Sequence, residues 1–491
     1  MKFAKIISLL LCVVMLASVF AGCANGNNEG DEGQSNSSAT GGTEDGTKSE
    51  VDLAIEEIEK NATDMSDQSF YILARDGIEE SFYIESDSSD PLDQGVFERN
   101  IAFQDAFGIE VQVKTLPDAE YADALSQDVR ANKEFTLSFG HTDNAITYAQ
   151  SGLLYNFLSM PHLNLEASWW DKGTASFNIA DSVWFMNGSF NTDDDDCTYV
   201  LLFNKKLYTN YFAGAEKTFY DVVNDKEWTL DYFNTVTQNV STENGDGKWD
   251  ENDTYGFVTT WEYGTTFFYG SGLNYVICEE GKDPYIAFEE GSMEKASQLL
   301  DKVLDIYYTN NATYWAPGGE EKLGLTAFTE GRALFYGEVV SYIQEANSTM
   351  TDDFGVLPIP KYDTAQENYI TWTHGISSSM TIVNHVEDAD KLGTLIEAFA
   401  VYSAKYVTPA YYDTVLQRKA IRDEESGPML DLIFAGRTYD LAMYMGNLGL
   451  TNVFKTCVND NKNTLSSDFA RVSKTAQRTL TNVIKNFEKL K

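Results

Sequence analysis

Residues 109–139 read IEVQVKTLPDAEYADALSQDVRANKEFTLSF, in which two strand patterns flank one helical pattern. Ile109 to Val113 and Phe135 to Phe139 have the β-branched and aromatic content of short strands. Asp118 to Asn132 places its apolar residues at helical spacing. Strands separated by helices indicate a parallel sheet covered by helices, and therefore an α/β fold.

The same alternation continues on both sides of this stretch. Further strands are predicted at Phe70–Ala74, Tyr199–Phe203, Tyr255–Val258, Ala333–Tyr336 and Phe354–Leu357. Further helices are predicted at Gly95–Phe107, Thr229–Val240, Met293–Thr309, Leu325–Glu330 and Ser466–Leu490. A helix-rich stretch is predicted from Ala389 through Glu424 to Gly436, and a polar helical approach at Val51–Lys60. The strands after residue 199 predict a second sheet.

The N-terminus has the pattern of a bacterial lipoprotein signal. Two lysines precede an apolar run from Ile6 to Phe20, and the small pair Ala21-Gly22 lies directly before Cys23. Residues 1–22 are therefore predicted to be removed, which would leave Cys23 for acylation with palmitate or a similar chain. Phe20 departs from the aliphatic residue that is usual at its position. The alternative is an ordinary secreted protein whose signal peptide is cleaved nearby and in which Cys23 has no special role.

Residues 23–66 are predicted to form the lipidated cysteine and a flexible tether. Ala24 to Glu50 is almost entirely Gly, Asn, Ser, Thr, Asp and Glu, which cannot bury enough apolar surface to fold. Two acyl chains on one cysteine would give stable membrane attachment. The expected location is the extracellular face of the cytoplasmic membrane.

Composition limits the classes of partner. The 491 residues carry a formal charge of −41, which argues against nucleic acid or anionic lipid as the main partner. Roughly 425 residues remain after the signal and tether, enough for two domains. Cys197, Cys278 and Cys457 are odd in number and widely spaced, so neither a disulfide framework nor a zinc site is predicted.

Six motifs, in order along the chain, resemble those of extracellular solute-binding protein family 1, the maltose-binding-protein-like receptors of ABC transporters. They are HTDNAITYAQSGLL (141–154), WWD (169–171), FNKKL (203–207), EWTLDYF (227–233), FTEGRA (328–333) and LPIPKY (357–362). Residues 358–366, 409–413 and 422–426 are similar to a lipoprotein branch of this family from Firmicutes, whose ligands are undefined.

This resemblance implies a periplasmic-binding-protein type 2 fold with two discontinuous α/β lobes joined by a hinge. The N-terminal lobe would comprise 67–196 plus 361–405, and the C-terminal lobe 197–360 plus 406–491. Ligand would bind in the cleft between the lobes, where loops at the carboxyl ends of strands converge. The implied partners are a small carbohydrate, expected to be an oligosaccharide, and the membrane permease of an ABC importer. The receptor itself is expected to be a monomer.

Asp143 and Asn144 occupy positions that contact sugar hydroxyls in maltose-binding relatives. A carboxylate accepts hydroxyl protons, and an amide both donates and accepts, which suits vicinal hydroxyls. Asn144 replaces an arginine of the maltose-binding protein, so the same sugar need not fit. The structural alternative is that Asp143 caps the following helix.

Further ligand-binding candidates are chosen for ring stacking or polar contact near the implied cleft. They are His141, Trp261, Tyr263, Phe267, Glu338, Trp372 and His374. A structural role is the alternative for each of them, and for His141 that role is a satisfied polar group in the loop. The prediction is that at least three of these residues contact ligand.

A calcium-loop pattern covers residues 242–253. Positions 1, 3, 5, 7, 9 and 12 of such a loop fall on Thr242, Asn244, Asp246, Lys248, Asp250 and Asp253. Thr at position 1 and Asp at position 12 depart from the usual Asp and Glu, and an acidic turn is the alternative. Structural calcium aside, no cofactor is required. The separate run Asp193–Asp196 lacks this spacing and is expected to be a solvated loop.

Three functions follow from these observations. The leading one is a lipid-anchored, non-enzymatic receptor that captures a carbohydrate for an ABC importer. The same fold binding a peptide or another polar metabolite is the second. The third is a surface glycoside hydrolase, although no nucleophile elbow, zinc helix or P-loop is present.

Overall fold

The computed structural model describes residues 48–490 except 176, 261, 280, 317–320 and 418–424. The predicted signal, Cys23 and most of the predicted tether therefore lie outside the described residues. The strands are β1 (Phe70–Arg75), β2 (Val111–Leu116), β3 (Leu137–His141), β4 (Leu154–Tyr155), β5 (Tyr199–Asn204), β6 (Tyr255–Thr260), β7 (Val276–Ile277), β8 (Tyr285–Ile286), β9 (Thr313–Ala316), β10 (Ala333–Val339), β11 (Phe354–Leu357), β12 (Thr371–Trp372), β13 (Ser378–Val383) and β14 (Arg437–Thr438).

Helices lie between most of these strands. They are α1 (Glu50–Asn61), α2 (Pro91–Phe107), α3 (Asp118–Gln127), α4 (Ala145–Gln150), α5 (Lys172–Ala175), α6 (Asp193–Asp196), α7 (Lys205–Phe212), α8 (Phe219–Asn224), α9 (Leu230–Gln238), α10 (Tyr263–Gly270), α11 (Met293–Tyr308), α12 (Glu321–Thr329), α13 (Tyr342–Thr349), α14 (Ala389–Gln417), α15 (Ser426–Ala435), α16 (Thr451–Asn459) and α17 (Leu465–Phe487). The predicted strand and helix order is confirmed, with bounds that differ by a few residues.

The first lobe is built on a five-stranded sheet with the order β2-β1-β3-β13-β4. Strands β1, β2 and β3 are parallel, whereas β13 is antiparallel to β3 and β4. Side chains of β1, of α2 and of the start of α14 form its core, with Phe70, Phe103 and Phe399 in mutual ring contact.

The second lobe is built on another five-stranded sheet, with the order β11-β5-β10-β6-β9. Strands β10, β6 and β9 are parallel, and β5 is antiparallel to β10 and β11. Both sheets are therefore mixed, and the prediction of parallel sheets is wrong for β5, β11, β4 and β13. A crossover helix between consecutive strands of one sheet makes those strands parallel. Strands β5 and β13 instead follow a passage of the chain from one lobe to the other, so this constraint does not apply to them.

The folded unit begins at Ser49, earlier than the predicted end of the tether at residue 66. Helix α1 has Ser49 as its N-cap and packs apolar side chains such as Ile55 and Ile58 against the first-lobe core. The predicted tether is therefore corrected over Glu50–Asn61, because the spacing of these apolar residues gives an otherwise polar helix a face to bury.

Helix α14 and the run Asp193–Asp196 both lie where the chain passes from one lobe to the other. Helix α14 is continuous across the predicted lobe boundary at 405/406. Phe399 lies in the first-lobe core, and Tyr411 contacts Phe434 of the second lobe.

The run Asp193–Asp196 forms a helical turn with Asp194 only 2% exposed, so the expectation of a solvated loop is wrong. Ion pairs with arginines offset the cost of burying these carboxylates.

Among the described residues, no helix combines the length and apolar character needed to span a bilayer.

Candidate functional site

The polar loop that follows β3 lies beside the segment that leads into β13. The His141 ring bonds the Ile376 carbonyl at 2.5 Å through Nδ1 and Asp118 at 3.1 Å through Nε2. Thr142 donates its backbone N–H to the Ser377 carbonyl at 2.9 Å. The ends of two neighbouring strands thus fix this loop at the edge of the first-lobe sheet.

Asp143 and Asn144 are both exposed on this loop. The Asn144 amide donates to the Asp143 carboxylate at 2.9 Å, and α4 begins without a side-chain cap hydrogen bond. Partial desolvation of the carboxyl group raises the pKa of Asp143, and the electrostatic interaction with the rings of His141 and His374 opposes that rise. The carboxylate is therefore placed to accept hydrogen bonds from a ligand, and the helix-capping alternative does not describe it.

A charged network lies at the carboxyl end of β6 in the second lobe. Glu262 accepts from Lys455 of α16 at 2.9 Å and lies 3.3 Å from the His374 ring. Burial acts to raise the pKa of Glu262, but the hydrogen bonds from His374 and Lys455 lower it to about 2. These side chains are 17–30% exposed, so the ionised Glu262 carboxylate and the Lys455 ammonium group are both accessible to solvent.

Glu262 and Lys455 were not among the sequence candidates. Glu262 directly follows Trp261, so its position at a strand end was a usable signal. Lys455 lies almost 200 residues later on a helix, and the sequence around it does not indicate a role in the site. Its role depends on how α16 packs against α10 and α11.

Three aromatic candidates are buried rather than open to a ligand. Tyr263 and Phe267 are both 0% exposed, and Tyr263 donates its hydroxyl to the Val200 carbonyl at 2.9 Å. Every residue of α10 is buried, because this helix is part of the second-lobe core rather than the cleft lining. Trp372 is 3% exposed and stacks on Tyr199 with ring centroids 4.8 Å apart. The prediction that these side chains contact ligand is corrected to a core role.

The remaining candidates divide between the cleft and the sheet. His374 is half-buried beside Glu262 and therefore stays with the cleft group. Glu338 is 6% exposed on β10, and its carboxylate accepts from the backbone N–H of Val339 at 3.0 Å. Trp261 lies outside the described residues.

Residues 242–253 form a turn that is closed by its own hydrogen bonds. Asp253 is fully buried and accepts from the backbone N–H groups of Asn244 at 2.8 Å and Asp250 at 2.7 Å. One oxygen of Asp246 accepts from the Lys248 N–H at 2.8 Å. No group of three or more acidic, His or Cys side chains is arranged for a metal ion in the part of the chain described. Calcium binding at residues 242–253 therefore stays a prediction.

Sequence comparison finds no match: no protein-family model and no curated protein matches this chain. Solved structures do match. A cyclic α-maltosyl-1,6-maltose binding protein from Arthrobacter globiformis has a TM-score of 0.57 and 11% identity, covering 85% of this chain and 99% of its own.

Two further structures match over similar lengths. The galacto-N-biose-/lacto-N-biose I-binding protein of an ABC transporter from Bifidobacterium longum, in complex with lacto-N-biose, has a TM-score of 0.54 and 11% identity, covering 85% of this chain and 98% of its own. An ABC substrate-binding protein from Listeria monocytogenes in complex with cycloalternan has a TM-score of 0.52 and 11% identity, covering 84% and 99%.

The chain thus has the α/β periplasmic-binding-protein type 2 fold with two lobes. In open α/β sheets, ligands bind beyond the carboxyl ends of the strands. In this chain those ends place Asp143 and Asn144 in one lobe and Glu262 in the other, with His374 on the segment that connects them.

Proposed function

We propose that this protein is an extracellular solute-binding protein that captures a carbohydrate, in particular an oligosaccharide, for an ABC importer. The observation that carries the proposal is the presence of one accessible carboxylate at the strand ends of each lobe, Asp143 and Glu262. The structural neighbours include two sugar-binding proteins, one of them a component of an ABC transporter, which supports the same class of ligand.

The chemistry of these groups suits a hydroxyl-rich ligand. The Asp143 carboxylate accepts hydroxyl protons, and the neighbouring Asn144 amide donates and accepts. Glu262 stays ionised at neutral pH because Lys455 and His374 hold its pKa low. Closure of the two lobes would bring both sets of groups onto one ligand and exclude water. Binding requires no bond to break, so we propose a receptor rather than an enzyme.

A thermal-shift and calorimetric screen of neutral oligosaccharides tests the proposal. A ligand at 100 times its Kd adds about 2.7 kcal/mol to the free energy of unfolding, which raises the melting temperature measurably. Asp143→Asn should abolish or strongly weaken that response. The matched control is Asp390→Asn, because Asp390 is a first-lobe aspartate paired with His162 at the surface.

The other outcomes separate the alternatives. A response to peptides or other polar metabolites and to no sugar would contradict the carbohydrate assignment while retaining the receptor. Release of shorter sugars, followed by chromatography, would indicate a glycoside hydrolase. An equal response in the parent chain and Asp143→Asn would remove this loop from the binding site.

We further propose that the mature protein is anchored to the membrane through acylated Cys23. The basic start, the short apolar run and the small residues before Cys23 support this. Expression of the full chain with labelled palmitate should place label and protein in the detergent phase. Cys23→Ser should lose both, whereas Cys278→Ser, a matched cysteine of the folded body, should lose neither.

We also keep weak calcium binding at residues 242–253 as a proposal, supported by the spacing of its oxygen-bearing residues. Calcium titration should raise the melting temperature of the parent chain and leave that of Asp246→Asn/Asp250→Asn unchanged. Magnesium at the same concentration is the control. A calcium response of equal size in the double variant would contradict the proposal.

A further inference from the structure

The second lobe contacts the first lobe through a cluster of charged side chains. Arg437 of β14 contacts three carboxylates: Asp171 at 3.2 Å, Asp194 at 3.1 Å, and Asp195. The Tyr439 hydroxyl donates to Asp171 at 3.0 Å and lies 3.4 Å from Asp194. We call these five residues the hinge cluster.

The members of the hinge cluster come from different parts of the fold. Asp171 follows the tryptophans 169 and 170, which lie in the first-lobe core, and its backbone N–H bonds the Asn187 carbonyl. Asp194 and Asp195 belong to α6, which two residues separate from β5 of the second lobe. Arg437 and Tyr439 follow α15, and β14 pairs with β12. One guanidinium therefore ties the first lobe, the crossover and the second lobe together.

Burial makes these contacts difficult to exchange for water. Asp194 is 2% exposed, and the side chains of Asp171 and Arg437 are 9% and 16% exposed. Burial and the neighbouring carboxylate of Asp195 raise the pKa of Asp194, although Arg437 opposes that rise. Three carboxylates share one guanidinium, so loss of any Arg437 contact leaves a poorly solvated charge without its counter-ion.

Ring contacts lie next to the hinge cluster and join the same two regions. Phe177 and Phe185 lie 5.5 and 5.4 Å from Tyr444, measured between ring centroids. Trp184 lies 5.4 Å from Phe487 near the end of α17. The last fifty residues of the chain thus pack on the 171–187 segment of the first lobe as well as on their own lobe.

We propose that the hinge cluster is a clamp that sets the separation of the two lobes in the absence of ligand. Rotation of the lobes away from one another must either break the Arg437–Asp171 and Tyr439–Asp171 contacts or carry residues 437–487 along with the first lobe. The clamp biases the protein toward the arrangement in which both contacts are made. Its members act on the cleft by positioning the lobes and do not themselves contact ligand.

The test measures the distance between the lobes directly. Spin labels on p-acetylphenylalanine, placed at the exposed positions Ile101 of α2 and Tyr211 of α7, report that distance by double electron–electron resonance. Asp171→Asn replaces the oxygen that accepts from Arg437 and Tyr439 with an amide donor, while Asp194 and Asp195 still neutralise Arg437. The ligand-free distance distribution should shift to a longer mean and become broader.

A milder variant and a control complete the design. Tyr439→Phe removes only the hydroxyl donor and should give a smaller shift in the same direction, which keeps the test decisive if Asp171→Asn fails to fold. Asp67→Asn breaks a first-lobe ion pair with Lys391 and should leave the distance unchanged. Unchanged distributions in both folded hinge variants would overturn the clamp. No ligand enters the measurement, so its outcome is independent of the proposed function.

Discussion

The cleft network and the hinge cluster both pair carboxylates with cations, but they differ in burial and in charge balance. In the cleft, one carboxylate, Glu262, has both Lys455 and His374 as partners, and all three side chains are 17–30% exposed. In the hinge cluster, three carboxylates share Arg437, and Asp194 is almost fully buried. Accessible pairs can exchange a partner for a ligand, whereas buried pairs must keep theirs to preserve the fold.

The largest expected effect is a difference between the two regions in how much a lost cation lowers the free energy of unfolding. Arg437→Met should lower the free energy of unfolding by about 3–5 kcal/mol, because it leaves buried carboxylates without a cation. Lys455→Met in the cleft should cost roughly 1 kcal/mol, since its partner Glu262 is partly hydrated and keeps His374. Urea denaturation of both variants measures the difference. Equal losses would show that burial does not distinguish the two regions.

For ligand affinity, substitutions in the cleft network should have a larger effect than substitutions elsewhere in the protein. Glu262→Gln removes one ionised acceptor from the cleft and should weaken a bound sugar by about 5- to 150-fold, as expected for a lost charged hydrogen bond of roughly 1–3 kcal/mol. Glu166→Gln, a substitution at an exposed first-lobe residue, is the matched control. Calorimetry with the best ligand from the screen provides the values. Identical affinities in the two variants would exclude Glu262 from ligand contact.

The pH dependence of stability should have opposite signs at the two regions. The pKa of Glu262 is lowered from 4.5 to about 2, so its contribution is present above pH 4.5 and is lost as pH falls toward 2. The pKa of Asp194 is raised above 3.8, so its contribution is present below pH 3.8 and is lost as pH rises through the raised value.

Variants at these two carboxylates separate the signs. The stability deficit of Glu262→Gln relative to the parent chain should shrink as the solution is acidified. The free energy of unfolding of Asp194→Asn should instead increase relative to that of the parent chain as pH rises. Unfolding free energies measured between pH 3 and 8 check both trends, and a shared direction would contradict the assignment of either pKa shift.

The same contrast explains how much could be read from the sequence. Strand and helix order was predictable because apolar periodicity is local, and the first-lobe loop at Asp143 was predictable from its motif. Tyr263 and Phe267 were mistaken for cleft residues because the sequence after β6 does not reveal that α10 is buried on every side. The network between Glu262 and Lys455 joins residues 193 positions apart, and no local pattern encodes such a pairing.

The acidic run at α6 shows the limit of composition most clearly. Four consecutive aspartates favour a solvated loop when their partners are unknown. In the fold, Asp193 pairs with Arg75 at 2.8 Å, and Asp196 accepts from the Tyr411 hydroxyl at 2.8 Å. These partners lie 118 and 215 residues away. Burial of the run is therefore a consequence of tertiary structure.

The smallest expected effect tests whether the ring contacts add to the hinge cluster. Trp184 of the 171–187 segment and Phe487 of α17 belong to one hydrophobic cluster, and each is buried, at 6% and 0% exposure. Single substitutions to Leu should each destabilise the chain, and a double-mutant cycle should give a coupling energy of about 0.5–1.5 kcal/mol, as for other aromatic pairs. Phe268 and Phe454, at 5.2 Å within the second lobe, provide the control cycle. If the two lobes separate readily at this side, the interlobe coupling will fall to zero while the control coupling remains, and the clamp would then depend on the charged contacts alone.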